Sequence, residues 1–157
     1  VQKVLRTSKR MKIISKSVNE TINIGKRIAK KLKGGDIVCL FGAFGTGKTV
    51  LTKGIAQGLG IKRDHIVSPS FVLLRQLKGK IPLYHFDLYR LERPQDILGL
   101  GYEEYLYDDA VTVIEWADRL KYLLPKEYLK ITLKAGAETI RQIEIIPIGK
   151  RYENIRY

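Results

Sequence analysis

The segment GAFGTGKT, Gly42 to Thr49, constrains this chain more than any other. It fits the pattern G-x-x-x-x-G-K-[ST] in full. Ahead of it, Ile37-Val38-Cys39-Leu40-Phe41 is an apolar run without alternation, as expected of a strand buried on both faces of a sheet. Behind it, Val50, Leu51, Ile55 and Leu59 recur at helical spacing, so a helix is expected from Thr49 to Leu59, stopped by Gly60. Strand, glycine-rich turn and helix in that order are the context of a phosphate-binding loop, or P-loop. Gly42, Gly45 and Gly47 let the backbone curl until its N–H groups point inward, making an anion nest at a helix N-terminus. Lys48 is then placed for β- and γ-phosphate oxygens, and the Thr49 hydroxyl for Mg²⁺.

A phosphate-bound magnesium ion also calls for a carboxylate, because Mg²⁺ prefers octahedral oxygen ligation with retained waters. Glu115 is the first candidate. It ends the β-branched run Val111-Thr112-Val113-Ile114, where an acid emerges beside the P-loop if the two strands are parallel neighbours. Asp87, in His85-Phe86-Asp87-Leu88-Tyr89-Arg90, is the second. Alternation puts His85, Asp87 and Tyr89 on one face. Asp87 is open to three roles: deprotonating the attacking water, positioning it, or holding a magnesium-bound water. His85 reads as a hydrogen-bonding neighbour, Arg90 as either a γ-phosphate contact or a solvated or ion-paired cation, and Trp116 as packing. The hydroxyls of Ser68 and Ser70 could respond to the γ-phosphate, although an ordinary loop is the plainer reading.

Around these motifs the chain reads as one domain. Ser17 and Glu20 have the spacing of a capping box, and a helix is expected from Val18 to Lys33 with Val18, Ile22, Ile28, Ala29 and Leu32 on one stripe, ended by Gly34-Gly35. Ser70 to Leu77 and Ile81 to Tyr89 read as a hairpin about Lys78-Gly79-Lys80. Pro94 to Leu106 turns helical and acidic, and Tyr128 to Lys134 with Thr139 to Ile148 read as two antiparallel edge strands. The expected architecture is α/β: a single P-loop NTPase domain over residues 17–157, with a mixed, largely parallel sheet flanked by helices and a C-terminal antiparallel hairpin. Residues 1–16 read as a basic arm, open to being disordered or in part an extension upstream of Met11.

Composition narrows the setting. The lone cysteine, Cys39, excludes an intramolecular disulfide and multi-thiolate zinc sites, and a reducing cytoplasm is expected. No apolar run approaches the roughly 18 residues of a membrane helix, so no membrane partner is expected. Net charge is +13, with 29 Lys and Arg against 16 Asp and Glu. Residues 1–33 hold eleven of those cations and one acid, Glu20, so +10 lies there and +3 in the remainder. A polyanion partner is therefore looked for at the N-terminal segment.

Together the motifs resemble one family. From Ser17 to about Tyr128 the order and spacing of Glu20-Thr21 with Gly25, the P-loop, VSPSF (Val67 to Phe71), HFDLYRL (His85 to Leu91), LGLGYEEYL (Leu98 to Leu106) and VIEWADRL (Val113 to Leu120) are similar to those of TsaE, also called YjeE. The resemblance implies a P-loop ATPase, weak without its partners, that supports threonylcarbamoyl transfer to the adenosine beside the anticodon of certain tRNAs. It implies TsaB-type and TsaD-type partner proteins, with tRNA reached through that assembly. It assigns ATP to Gly45, Thr46, Gly47, Lys48, Thr49 and Val50, magnesium to Thr49 and Glu115, the base to the neighbourhood of Thr21, and activity to Asp87. Two departures stand out: Ala43 occupies a position often acidic in the family, and SPSF replaces the usual SPTF. Two other readings stay open, a small-molecule kinase and a basic nucleic-acid-binding module with a regulatory nucleotide site.

Overall fold

The computed structural model describes residues 10–66 and 73–155. VSPSF and the first nine residues lie outside them. Seven strands form one sheet: β1 (Met11–Ser15), β2 (Ile37–Phe41), β3 (Leu74–Leu77), β4 (Leu83–Asp87), β5 (Val111–Glu115), β6 (Tyr128–Ala135) and β7 (Arg141–Ile148). Their spatial order is β1-β7-β6-β2-β5-β4-β3. The four central strands, β6, β2, β5 and β4, run parallel. Antiparallel pairs extend both sides, β6 with β7 and β7 with β1 on one, β4 with β3 on the other. The mixed sheet, its parallel centre and the C-terminal hairpin are thus as the sequence predicts.

Helices α1 (Val18–Ala29) and α2 (Lys48–Gly58) cover one face, and the short α3 (Pro94–Leu98) and α4 (Glu103–Leu106) cover the other. β2 explains why its run is continuous rather than alternating. Val38 and Leu40 pack with Leu51, Ile55 and Ile28 on the α1/α2 side, whereas Ile37 and Cys39 pack with Phe86, Ile114 and Ile97 on the other.

Three expectations need correction. Met11–Ser15, assigned to the arm, is edge strand β1, paired in register from Met11↔Ile145 to Ser15↔Arg141. α1 ends at Ala29, four residues early: Lys31 and Leu32 donate to Ile28 and Ala29 oxygens, tightening the last turn. Its buried face is Thr21, Ile24, Gly25, Ile28 and Ala29, leaving Val18 55% exposed. The cause is close contact with α2: a Cβ at Gly25 would stand 2.6 Å from the Leu51 carbonyl oxygen, and one at Gly54 2.2 Å from that of Ile22. The helices meet backbone to backbone, so the contact stripe is read by small residues and not by large apolar ones. The helical stretch after Pro94 is likewise two helices, separated by Gly99, Leu100, Gly101 and Tyr102.

Candidate functional site

β2 delivers the chain into the P-loop, and α2 begins at Lys48. Gly42 has to be glycine, because a Cβ there would stand 2.6 Å from the Leu133 carbonyl oxygen of β6. Gly47 caps α2 with φ at 99°, a left-handed conformation that frees the first helical N–H groups toward the site. The Thr46 hydroxyl is turned back onto the Ala43 carbonyl at 2.9 Å, so Thr46 offers the site only its backbone.

The neighbours of β2 in the sheet bring the carboxylates. β5 runs parallel to β2, with Leu40 opposite Glu115, and β4 runs parallel to β5, with Asp87 opposite Glu115. Glu115 is 1% exposed, and both of its oxygens are engaged. Oε1 accepts the Thr49 hydroxyl at 2.9 Å, and Oε2 is paired with His85 Nε2. A hydroxyl and a buried carboxylate in contact at the P-loop are a donor set that suits Mg²⁺, which takes one or two protein oxygens and completes its shell with phosphate and water. Among the described residues there is no group of three His, Cys, Asp or Glu able to hold a metal alone. A metal here would depend on a bound phosphate.

Lys48 is 5% exposed, and its Nζ donates to the carbonyls of Gly42 and Ala43 at 2.6 and 2.8 Å. The ammonium lies 4.0 Å from the centre of the Trp116 ring. Burial pushes its pKa down, against the opposing pull of Glu115, Asp118 and Asp87. Trp116 follows Glu115 with φ 57° and ψ 43°, a left-handed bend rare for a bulky residue, and it turns the indole under Lys48 and against Tyr89, 5.0 Å away. Trp116 therefore packs, as expected, and its packing is within the site. Asp87 accepts the Tyr89 N–H at 3.1 Å; burial raises its carboxyl above the usual aspartate range, and the charge of Glu115 adds to that.

These groups line one cavity of about 620 Å³. Lys48, Thr49, Asp87, Glu115 and Arg90 border it, as do Gly45, Gly47, Val50 and Thr21. Gly42 and Thr46 support its floor without lining it. Sequence reasoning missed Thr139 and Arg141, which reach the cavity from the β6–β7 hairpin: Arg141 Nη2 donates to the Gly45 oxygen at 3.3 Å and Thr139 to the Lys16 oxygen at 2.7 Å. Nothing local marks these residues, since only strand pairing brings the hairpin tip beside the P-loop. Cys39, fully buried with its thiol pKa pushed far up by burial, takes no part.

A family model for "Threonylcarbamoyl adenosine biosynthesis protein TsaE" matches residues 15–143. The chain belongs to the TsaE family. It is 40% identical over 146 residues to the tRNA threonylcarbamoyladenosine biosynthesis protein TsaE of Bacillus subtilis (strain 168), covering 92% of this chain and 90% of that one. It is 38% identical over 135 residues to the protein of the same name from Treponema pallidum (strain Nichols), covering 86% and 99%. The crystal structure of Bacillus subtilis YdiB superposes with a TM-score of 0.78 at 36% identity, covering 92% of this chain and 90% of that one. The TsaE match begins at Ser15, the buried end of β1, and it takes in Thr139 and Arg141 of the hairpin as well as the P-loop, Asp87 and Glu115. No helix among the described residues is long and apolar enough to cross a membrane.

Proposed function

We propose that this TsaE-family chain is a magnesium-dependent ATPase whose nucleotide cycle supports threonylcarbamoyladenosine formation in tRNA, together with TsaB-type and TsaD-type proteins. The observation that carries the reading is the Thr49–Glu115 contact of 2.9 Å at the mouth of the P-loop, with Asp87 one strand further along in register. A phosphate nest alone would suit any anion. A nest with a hydroxyl–carboxylate pair and a second, protonation-prone acid suits a metal-bound triphosphate.

In this reading the N–H groups from Gly45 to Val50 and the N-terminus of α2 receive the phosphates. Lys48 exchanges its two loop carbonyls for phosphate oxygens, which costs little because the ammonium trades one set of acceptors for another. Thr49 and Glu115 would hold magnesium, which when bound withdraws charge from the β- and γ-phosphates. His85 keeps Glu115 oriented by occupying its far oxygen. Asp87 positions the attacking water and accepts its proton at the carboxylate. The relatives' names support the pathway part of this reading, and the lining of the cavity supports the nucleotide part.

The test is reconstitution of tRNA threonylcarbamoylation from purified TsaB-type and TsaD-type proteins, with and without this chain. Repeated turnover is expected only when the chain is present, with at least about a hundredfold loss for Glu115→Ala. Mg-ATP is expected to raise the melting temperature of the wild type by mass action and not that of Lys48→Ala. Full cycling without the chain would overturn the pathway assignment. ATP-dependent phosphorylation of a small metabolite, without effect on tRNA modification, would replace it with the kinase reading.

A further inference from the structure

Trp116 is the one tryptophan of the chain, and its backbone is left-handed, with φ 57° and ψ 43°. A bulky residue keeps that conformation only where its surroundings hold it there. The bend carries the indole from the end of β5 into the wall of the cavity, where the Lys48 ammonium lies 4.0 Å from the ring centre. Two further groups fix the ring. Tyr89 packs against it with ring centres 5.0 Å apart, and the centre of the Arg119 guanidinium stands 5.6 Å from it.

Lys48 has three N–H donors and no acceptor. The carbonyls of Gly42 and Ala43 accept from it at 2.6 and 2.8 Å, and the electron-rich face of Trp116 meets the same ammonium. Lys48 is 5% exposed, so the attraction to the ring is that of a desolvated cation, stronger than the same contact at a surface. The lysine is therefore satisfied before any ligand arrives. A phosphate that draws Lys48 replaces carbonyl oxygens with oxygens of its own. It offers nothing in place of the ring, and the ring, held by its bend, Tyr89 and Arg119, does not follow the ammonium.

We propose that Trp116 sets the phosphate affinity of the site by competing for Lys48: the indole holds the ammonium in the empty P-loop, and a ligand that engages Lys48 has to take it from the ring. The inference rests on the nucleotide reading above and adds to it a resting contact that favours the empty site. Trp116 acts through Lys48 and is a positioning residue. Competition differs from packing in the sign of its effect. Removing a ring that only packed would loosen the P-loop and weaken binding, whereas removing a ring that competes strengthens it.

The experiment measures equilibrium binding of Mg-ATP and of Mg-tripolyphosphate, which carries no base, to wild type, Trp116→Phe, Trp116→Leu, Lys48→Met and the Trp116→Leu, Lys48→Met double variant. Indole is a stronger partner for a cation than phenyl, so affinity should rise about threefold in Trp116→Phe and about tenfold in Trp116→Leu. The gain should be absent between Lys48→Met and the double variant. In wild type, the emission of the single tryptophan should change along the tripolyphosphate binding curve as the ammonium leaves the indole. Affinity that is unchanged or weaker in both ring variants overturns the proposal, as does a gain that persists without Lys48 or an emission that stays constant while tripolyphosphate binds. Should Trp116→Leu fail to fold, Trp116→Phe and the wild-type emission decide alone. A wild type that binds neither ligand instead overturns the nucleotide reading on which the proposal rests.

Discussion

Asp87 is caught between opposing influences. Burial is the largest and raises its pKa; Glu115 pushes in the same direction, while the Tyr89 N–H, His85 and Lys48 pull it down. The folded state therefore holds the Asp87 proton to higher pH than the unfolded chain does. Stability from this group is fully present below the ordinary aspartate pKa and is lost as pH rises through the raised value. Near neutrality the ionised Asp87 is a destabilising charge, the cost expected of a carboxylate that the proposed chemistry needs. Asp87→Asn should accordingly melt at a higher temperature than wild type at pH 7, with the gain shrinking as pH falls toward the ordinary aspartate value. The same variant should lose about a hundredfold or more of its ATP turnover. Melting curves across pH 4 to 8 check the first statement, and single-turnover hydrolysis the second. A variant less stable than wild type at pH 7 would show that the carboxylate is held by favourable bonds rather than by burial.

Among the elements, the α1–α2 contact makes the sharpest claim. α2 carries Lys48 and Thr49 at its start, so whatever sets the distance between α1 and α2 also sets the P-loop against Thr21. Gly25 does this with no side chain, its Cα hydrogen facing α2 backbone atoms that a methyl would meet at 2.6 to 2.9 Å. Gly25→Ala improves helix propensity by about 1 kcal/mol. The overpacking falls on backbone atoms that cannot rotate away, so its cost lies at about 2–3 kcal/mol, the upper part of the usual range, and the variant should be destabilised in urea titration by about 1–2 kcal/mol despite its better propensity. Unchanged stability would mean that the helices can part freely. This pair also shows what could be read from the sequence. Runs such as Ile37 to Phe41 and Val111 to Ile114 gave their strands directly, because burial on both faces leaves an unbroken apolar signature. Lys48, Thr49, Asp87 and Glu115 were legible for a related reason: each belongs to a motif that ends a central strand or begins the helix after one. The face of α1 was not, because the periodicity of Val18 and Ile22 points away from a contact made through Thr21 and Gly25. β1 escaped notice because five residues of basic and apolar character acquire their order from β7, more than a hundred residues later. Thr139 and Arg141 were hidden for the same reason.

At the scale of the molecule, the charges of the described residues divide across the sheet. On the α1/α2 face, Arg27, Lys30, Lys31 and Lys33 are exposed and Lys26 is half-buried at the end of α1 and in the turn after it. None of them is in an ion pair among the described residues, whereas Arg10, Lys12, Arg93 and Arg151 are each paired with a carboxylate. On the opposite face, the segment 92–108 that contains α3 and α4 holds Glu92, Asp96, Glu103, Glu104 and Asp108 against Arg93, whereas Asp109 lies beside Gly34 in the turn after α1. A polyanion is therefore drawn to the α1 side and repelled from the α3/α4 side. Cations grouped on one helix, with no aromatic stacking surface among them, contact phosphates without reading sequence. Binding of tRNA by the isolated chain should thus be weak and indifferent to anticodon sequence, and it should fall steeply with salt as counterions are released. Lys30→Glu combined with Lys31→Glu should flatten the log–log salt dependence by about 1–2 and reduce low-salt affinity. It should leave the Mg-ATP melting shift intact, because neither lysine lines the cavity. Fluorescence anisotropy with labelled tRNA between 25 and 200 mM salt, roughly the range over which phosphate contacts are won and lost, separates the outcomes. Tight binding that resists salt and discriminates among tRNAs would mean that this chain reads RNA itself, and the basic helix would then be part of a recognition surface rather than a site of electrostatic approach.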